Sequence, residues 1–214
     1  MNQETKVLIG IVVVTVGILV GGAWLSSRGS NAPATASRPD LLVKSDSYHT
    51  GKSDVKVTVV EFGDYQCPAC GAAYPVLRQM LADYGDKVNF VFRNFPLPQH
   101  QNALIGAEAA EAAGAQGKYW EMHDVLYDKQ AEWGESTTPL DFLVKYADGL
   151  HLNMDQFKSD VQANKYADRI TADQNDGLAN GINATPTIFV NGQIISGVPT
   201  YADLKSMIDA AQLK

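Results

Sequence analysis

Both cysteines of the 214-residue chain lie within residues 60–70, and this stretch constrains the fold more than any other. It reads VEFGDYQCPAC, so an apolar run ends in a short Gly-Asp-Tyr-Gln turn and Cys67 follows directly. Pro68 marks the start of a helix, because proline at the first helical position loses no hydrogen bond and already has a helical φ. The pattern predicts a strand, a turn and a helix, with the cysteine pair at the start of the helix.

The spacing of the two cysteines predicts a reactive pair. Cys67 and Cys70 lie about one helical turn apart, on one face, where a disulfide can form between them. The free N–H groups at a helix start stabilise a thiolate and lower a thiol pKa from about 8.5 to roughly 3.5–7.5. We therefore expect Cys67 to be the nucleophile of thiol–disulfide exchange and Cys70 to be the resolving thiol.

A single C-x-x-C pair also occurs as a structural disulfide or as half of a zinc site. Structural zinc needs four ligands, and neither a second cysteine pair nor a spaced histidine pair follows in this sequence. The position of the pair between a strand and a helix favours redox exchange over both alternatives. The sequence predicts no metal site.

Composition excludes one class of partner. The formal net charge is -7, and the chain has no run of basic residues. A nucleic-acid-binding surface needs Lys and Arg side chains to neutralise phosphates. The sequence therefore predicts no nucleic acid partner.

Residues 7–25 contain no charged side chain. At 1.5 Å per residue such a helix is about as long as the hydrocarbon core of a bilayer is thick. We expect a transmembrane anchor with residues 1–6 as a cytoplasmic tail and the catalytic domain on the extracytoplasmic side, where disulfides persist. A cleaved signal peptide is the alternative, although its apolar part is usually only 7–15 residues long.

The rest of the chain divides by composition and periodicity. Residues 26–54 are rich in Ser, Ala, Pro, Gly and Asn near their start and are predicted to be a flexible linker. Residues 55–98 have a strand–helix–strand pattern, residues 99–181 are helical, and residues 182–214 contain two strands joined by Asn-Gly and a final helix. The prediction is one α/β domain, residues 55–214, whose sheet is interrupted by a helical insertion.

Four motifs carry a resemblance to a known family: VVEFGDYQCPAC, NFPL followed by QHQNA, QGKYWEMHDVLY, and NATPTIFVNG. Together they resemble the DsbA-like thiol–disulfide oxidoreductases of bacterial envelopes, especially the membrane-tethered group. The resemblance covers residue 57 to the C-terminus. It implies a thioredoxin fold with a core of residues 55–98 and 182–214 and an inserted helical domain of residues 99–181.

The resemblance also implies roles for three further residues. Thr185 and Pro186 would form a cis-proline loop beside the disulfide that binds substrate; the alternative is an ordinary trans proline at the start of a strand. Glu61, six residues before the first cysteine, would lie beneath the disulfide and accept the proton of the resolving thiol. Burial would raise its pKa and suit it to this task. The alternative is a glutamate at the strand end that faces water.

The two residues between the cysteines, Pro68 and Ala69, tune the redox pair. They depart from the Pro-His pair of the best-known strong oxidant in the family, whose histidine helps to stabilise the thiolate. With Ala69 in its place, we expect the helix start and its N–H groups to act alone, so that Cys67 is less acidic. The direction of electron flow stays open at this point.

The expected function is the donation of the Cys67–Cys70 disulfide to unfolded or reduced exported proteins. A membrane redox partner, such as a quinone-linked oxidase, would then reoxidise the pair. One alternative is a reductase or isomerase supplied by a membrane thiol reductase; another is a Cu(I)-binding or peptide-binding module. No bound cofactor is expected, because the cysteine pair is itself the redox couple.

Overall fold

The structure is a computed structural model and describes residues 34–213. The predicted tail and transmembrane anchor, residues 1–25, lie outside the described residues. Among the helices of residues 34–213, none has the length and apolar character needed to cross a bilayer.

The described part of the chain contains a five-stranded mixed sheet in the order β1-β3-β2-β4-β5. The central strand β2 pairs in parallel with β3, and every other neighbouring pair is antiparallel. The sequence explains the central place of β2, because its apolar run VTVVEF is buried almost throughout. The strands are β1 (His49–Gly51), β2 (Val57–Gly63), β3 (Val88–Asn94), β4 (Thr187–Val190) and β5 (Gln193–Ser196).

Helix α1 connects β2 to β3, six helices lie between β3 and β4, and the last helix follows β5. This order confirms the predicted thioredoxin-fold arrangement of a mixed sheet and helices. The short fourth helix lies within the predicted helical region but has no signal of its own in the sequence, since its four residues are too few for a periodic pattern. The helices are α1 (Pro68–Tyr84), α2 (Ala103–Gly114), α3 (Tyr119–Asp128), α4 (Gln130–Trp133), α5 (Pro139–Gly149), α6 (Met154–Gln162), α7 (Ala167–Ala179) and α8 (Tyr201–Gln212).

Apolar side chains pack on both faces of the sheet. One cluster joins the sheet to α1 and α8 through residues such as Val59, Leu77 and Leu204, all buried. A second covers the opposite face around Phe62 and Phe189. The largest cluster fills the helical insertion and reaches both cysteines. The insertion and the reactive pair therefore share one core.

The predicted linker, residues 26–54, is wrong over its described part. Residues 34–54 pack on the domain, and Leu42 is only 5% exposed. β1 lies within this stretch and pairs with β3, while the indole N–H of Trp120 donates to the carbonyl of His49 at 2.9 Å. Backbone pairing and single buried side chains hold this stretch in place. Because these contacts need no alternating apolar residues, the sequence shows no strand pattern here.

The same N-terminal stretch covers the outer edge of β5. The N–H of Ala36 donates to the carbonyl of Gly192 at 2.8 Å, and the N–H of Ile194 donates to the carbonyl of Ala34 at 2.9 Å. These contacts occupy backbone groups that an edge strand otherwise leaves unpaired.

Candidate active site

Cys67 occupies the position that the sequence predicts, immediately before α1. It is the N-cap residue, with φ -65° and ψ 121°, and Pro68 is the first helical residue. The N–H of Cys67 donates to the carbonyl of Asp64 at 3.0 Å, and the N–H of Gly71 donates to the carbonyl of Cys67 at 3.1 Å. The turn and the first helical bond thus fix the backbone on both sides of the residue.

The two cysteines differ in access to solvent. Both thiols are free in this structure; Cys67 is 6% exposed and Cys70 is fully buried. The Cys70 sulfur accepts a hydrogen bond from the backbone N–H of Asp64 at 3.5 Å. Cys67 is therefore the outer sulfur, and burial raises the pKa of Cys70 far above its ordinary value.

Hydrogen bonds to its sulfur lower the pKa of Cys67 from 9.0 to about 5. The Cys70 side chain makes the largest contribution, and burial opposes it. Thr185 and the backbone N–H groups of Cys70 and Ala69 lower the pKa further. The expectation that the helix start acts alone is therefore wrong, because the resolving thiol and the loop that contains Thr185 also stabilise the thiolate.

The Thr185–Pro186 peptide bond is cis, as the resemblance implies. The loop precedes β4, which pairs directly with β2. The carbonyl oxygen of Thr185 lies 3.5 Å from the Cys67 sulfur and accepts a hydrogen bond from the thiol. The Pro186 carbonyl in turn accepts a hydrogen bond from the N–H of Gly197 at 3.0 Å, which ties the loop to the end of β5. The structure thus places the proline loop beside the nucleophile.

Glu61 lies on the central strand and is 1% exposed, which excludes the alternative of a strand-end glutamate facing water. Its neighbours across the strands are Phe92 on β3 and Ile188 on β4. Its Oε1 atom has no hydrogen-bond partner among the described residues. Burial raises the pKa of Glu61 to about 8, and the nearby Cys67 thiolate adds to this shift. The carboxyl group is therefore mostly protonated at neutral pH.

Sequence reasoning missed Asp64, whose buried carboxylate accepts three hydrogen bonds. The donors are the N–H of Gln66 at 2.8 Å, the N–H of Leu97 at 2.9 Å, and His100 Nδ1 at 2.7 Å. Asp64 therefore links the turn before Cys67 to the loop after β3. An Asp in a Gly-Asp turn is an ordinary turn signal, so the sequence gives no indication of partners over 30 residues away.

Aromatic side chains surround the inner side of the cysteine pair. Tyr65, Phe92 and Tyr127 pack around the ring of His123, with centroid distances of 4.9–5.5 Å. Burial lowers the pKa of His123 to about 3, so the imidazole is neutral. His123 and Tyr127 are both buried and are part of this core.

The arrangement offers nothing that resembles a metal centre. Within residues 34–213 no group of three His, Cys, Asp or Glu side chains is placed to hold a metal ion. What the site brings together is an acidic outer thiol, a buried inner thiol, a protonated carboxyl group and a cis-proline loop.

Solved structures share this fold. BdbD from Bacillus subtilis is 26% identical, with a TM-score of 0.71, and the match covers 85% of this chain and 98% of that one. A thioredoxin-like oxidoreductase from Silicibacter pomeroyi is 27% identical, with a TM-score of 0.71 and coverage of 84% and 99%. The thiol–disulfide exchange protein alpha-DsbA2 from Wolbachia pipientis, 20% identical with a TM-score of 0.71 and coverage of 81% and 91%, supports the fold alone.

Curated relatives carry another name. Na(+)/H(+) antiporter NhaA 1 from Salinispora arenicola is 37% identical over 95% of this chain, and NhaA 3 from Salinispora tropica is 39% identical over 89%. The chain spans only about a third of those proteins, 32% and 30% of their lengths. The similarity therefore concerns one part of each antiporter-named protein.

A family model described as thioredoxin matches residues 44–210, which is most of the chain. The match includes the cysteine pair, Glu61 and the cis-proline loop. It agrees with the sheet order and with the structural neighbours. The chain therefore belongs to the thioredoxin family, and its domain is of the kind found in DsbA-like thiol–disulfide oxidoreductases.

Proposed function

We propose that this thiol–disulfide oxidoreductase donates the Cys67–Cys70 disulfide to cysteine pairs of unfolded or reduced exported proteins. The observation that carries the proposal is the Cys67 thiol at the start of α1, with a pKa of about 5 and 3.5 Å from the carbonyl of Thr185. A thiol that ionises this readily is a good leaving group in exchange.

The first step forms a mixed disulfide. A substrate thiolate attacks the Cys67 sulfur, a substrate–Cys67 bond forms, and the Cys67–Cys70 bond breaks. Cys70 leaves as a thiolate in a buried site where its pKa is strongly raised, so it takes up a proton. Glu61 is mostly protonated at neutral pH, and its charge influences Cys70, so it is the proposed donor of this proton. When the pair is reoxidised the same step runs in reverse, and Glu61 accepts the proton of the resolving thiol.

The second step releases the product. The second substrate thiolate attacks the substrate sulfur of the mixed disulfide, a substrate disulfide forms, and Cys67 leaves as a stabilised thiolate. The substrate loses two electrons and the cysteine pair gains them. Thr185 and Pro186, beside the Cys67 sulfur, would hold the extended substrate chain during both steps. Reoxidation requires an electron acceptor, for which a quinone-linked membrane oxidase is the proposed partner.

The acidity of Cys67 favours donation over reduction. Stabilising the thiolate stabilises the reduced pair, and a pair whose reduced form is stabilised is a stronger oxidant. A reductase or isomerase supplied by a membrane thiol reductase is the alternative, and would require a lower reduction potential. A measurement of the reduction potential at equilibrium therefore distinguishes a disulfide donor from a reductase.

We further propose that residues 7–25 anchor the chain in the cell membrane with the domain on the extracytoplasmic side. The charge-free apolar segment supports an anchor. The chemistry supports the orientation, since a disulfide donor persists only where thiols are not kept reduced. Protease accessibility of the domain in intact cells and in spheroplasts tests this topology.

The deciding experiment equilibrates the purified full chain with glutathione redox buffers and measures the fraction of reduced Cys67. A reduction potential of the Cys67–Cys70 pair well above that of the glutathione couple supports a disulfide donor. A potential well below it supports a reductase. Cys67→Ser should abolish exchange, whereas Cys70→Ala should accumulate mixed disulfides. Full activity of Cys67→Ser would refute the mechanism, and tight Cu(I) binding without exchange would favour a metal-binding module.

A further inference from the structure

We propose that Gln130, in the helical insertion, is a positioning residue that holds the Cys67 backbone so that its thiolate stays at the start of α1. The proposal rests on the proposed function and names a residue whose side-chain amide bonds to the backbone around Cys67 rather than to the reacting sulfur. It assigns to the insertion a direct part in setting the acidity of the nucleophile.

The Gln130 side chain spans the active-site turn. Its Nε2 atom donates to the carbonyl of Tyr65 at 2.8 Å and to the carbonyl of Cys67 at 2.9 Å. These carbonyls lie on the two sides of Gln66, so a single amide group fixes both ends of the short segment that leads into the nucleophile. Gln130 is the first residue of α4, over 60 positions further along the chain.

The Cys67 carbonyl accepts from two donors, Gln130 and the helical N–H of Gly71. Together they restrict rotation of the residue that carries the sulfur. The stabilisation of the thiolate depends on direction, because hydrogen bonds weaken steeply as their angle departs from linearity. If the Cys67 backbone turned, its sulfur would move away from the N–H groups of Ala69 and Cys70 and from Thr185, which lower its pKa.

Gly71 provides an independent sign that the amide fits closely against α1. A Cβ atom added at Gly71 would lie 3.0 Å from Gln130 Cδ and 3.2 Å from Nε2, and closer still to Oε1. Such contacts are too short, so the flexible glutamine side chain would have to move away. In the interior of a helix, Gly costs about 1 kcal/mol relative to Ala. Gly71 thus leaves room for the Gln130 amide at a cost in helix stability.

The test measures the pKa of Cys67 in the reduced full chain from the pH dependence of its thiolate absorbance and of its alkylation rate. We expect Gln130→Ala to raise the pKa by roughly half to one unit, since two hydrogen bonds that orient the residue are lost. Gly71→Ala should raise it by a similar amount by displacing the amide. Because Gly71→Ala also favours the helix, a rise in pKa without loss of stability separates positioning from general destabilisation.

The double variant decides between positioning and two unrelated effects. In the Gln130→Ala background the added methyl group meets no amide, so Gly71→Ala should raise the pKa no further. Gln116→Ala is the matched control, because this glutamine also lies in the insertion and exchanges hydrogen bonds with the backbone of Asn153, away from the turn. Its Cys67 titration should equal that of the wild type.

Two results would overturn the proposal: an unchanged Cys67 pKa in Gln130→Ala, or fully additive shifts in the double variant. The titration needs no exchange activity. If the wild-type chain failed to exchange with glutathione, the proposed function would be refuted. The role of Gln130 would still be decided by the Cys67 titration.

Discussion

At the scale of single residues, Thr185 acts on the nucleophile through two groups, its carbonyl oxygen and its side chain. The neutral Cys67 thiol donates to the carbonyl of Thr185, whereas the thiolate can accept from the hydroxyl. That hydroxyl is buried and has no hydrogen-bond partner among the described residues, so it is free to donate once the sulfur is ionised. The loop therefore accommodates both protonation states of the sulfur.

We expect Thr185→Val to raise the pKa of Cys67, because the variant keeps the shape of the side chain and loses the donor. The rise should be roughly one unit, the size of a single hydrogen bond to a charged group. Titration of the reduced protein measures it. Thr187→Val is the control, since the Thr187 hydroxyl donates to the carbonyl of Ala184 at 2.8 Å in the same loop. Equal titrations for both variants would contradict the assignment.

Glu61 makes stability depend on pH. The folded protein holds the Glu61 proton up to about pH 8, whereas the carboxyl of the unfolded chain has an ordinary pKa of 4.5. The stability that this proton contributes is complete below pH 4.5 and is lost as the pH rises through 8. We expect Glu61→Gln to lack this loss. In urea unfolding of the reduced proteins, the free energy of unfolding of the variant relative to the wild type should therefore be higher at pH 9 than at pH 6. Parallel curves for the two proteins would refute a buried, protonated Glu61.

At the scale of the element, the start of α1 couples redox state to stability. The pKa of Cys67 is about 5 in the folded protein and has an ordinary value of 9.0. A lowered pKa contributes stability that is present above 9.0 and is lost as the pH falls through 5. The disulfide has no ionising thiol and lacks this contribution.

We therefore expect the reduced protein to gain free energy of unfolding relative to the oxidised protein as the pH rises from about 5 to 9. Denaturant unfolding of both forms at several pH values measures the difference. A constant difference across this range would mean that α1 does not stabilise the thiolate. Cys67→Ser should remove the pH dependence of the difference between reduced and oxidised conditions.

Local sequence patterns predict the elements around the cysteines well and the contacts between elements poorly. The strand, the turn and the proline at the first position of α1 follow from short stretches of sequence, whereas the buried position of Glu61 is implied by the resemblance to a known family. Gln130 carries no such signal, because its partners are brought near only by the folding of the whole insertion. β1 is held by pairing with β3 rather than by its own three residues, so it was mistaken for linker.

At the scale of the whole molecule, Arg93 joins three parts of the domain. From β3 its guanidinium donates to Asp173 at 2.6 Å and to Asp176 at 2.7 Å, both on α7. It also donates to the carbonyls of Leu41 and Leu42, at 2.9 and 3.0 Å, in the N-terminal stretch. The side chain is 1% exposed, so the sheet, the insertion and the N-terminal stretch meet at a buried charge.

We expect Arg93→Leu to destabilise the domain by about 3–5 kcal/mol, because removing one partner of a buried ion pair leaves the Asp173 carboxylate without the guanidinium that it binds. Denaturant unfolding at constant pH measures the loss. Arg38→Ala is the control, since the Arg38–Asp40 pair is exposed, and it should change stability little. Equal losses in the two variants would mean that the Arg93 network contributes no more than a surface pair.

Both edges of the sheet are partly covered, and this limits the addition of an unfolded polypeptide as a further strand. Backbone contacts from residues 34–36 occupy the rim of β5, and Trp120 donates to a carbonyl of β1. An unfolded polypeptide can pair with an exposed edge strand as an additional strand and stay bound, as it does in aggregation. With these backbone groups occupied, the two edges offer fewer sites for strand addition. We therefore expect the proposed polypeptide substrates to bind beside Cys67 at the proline loop instead, and to leave once their own cysteines are joined.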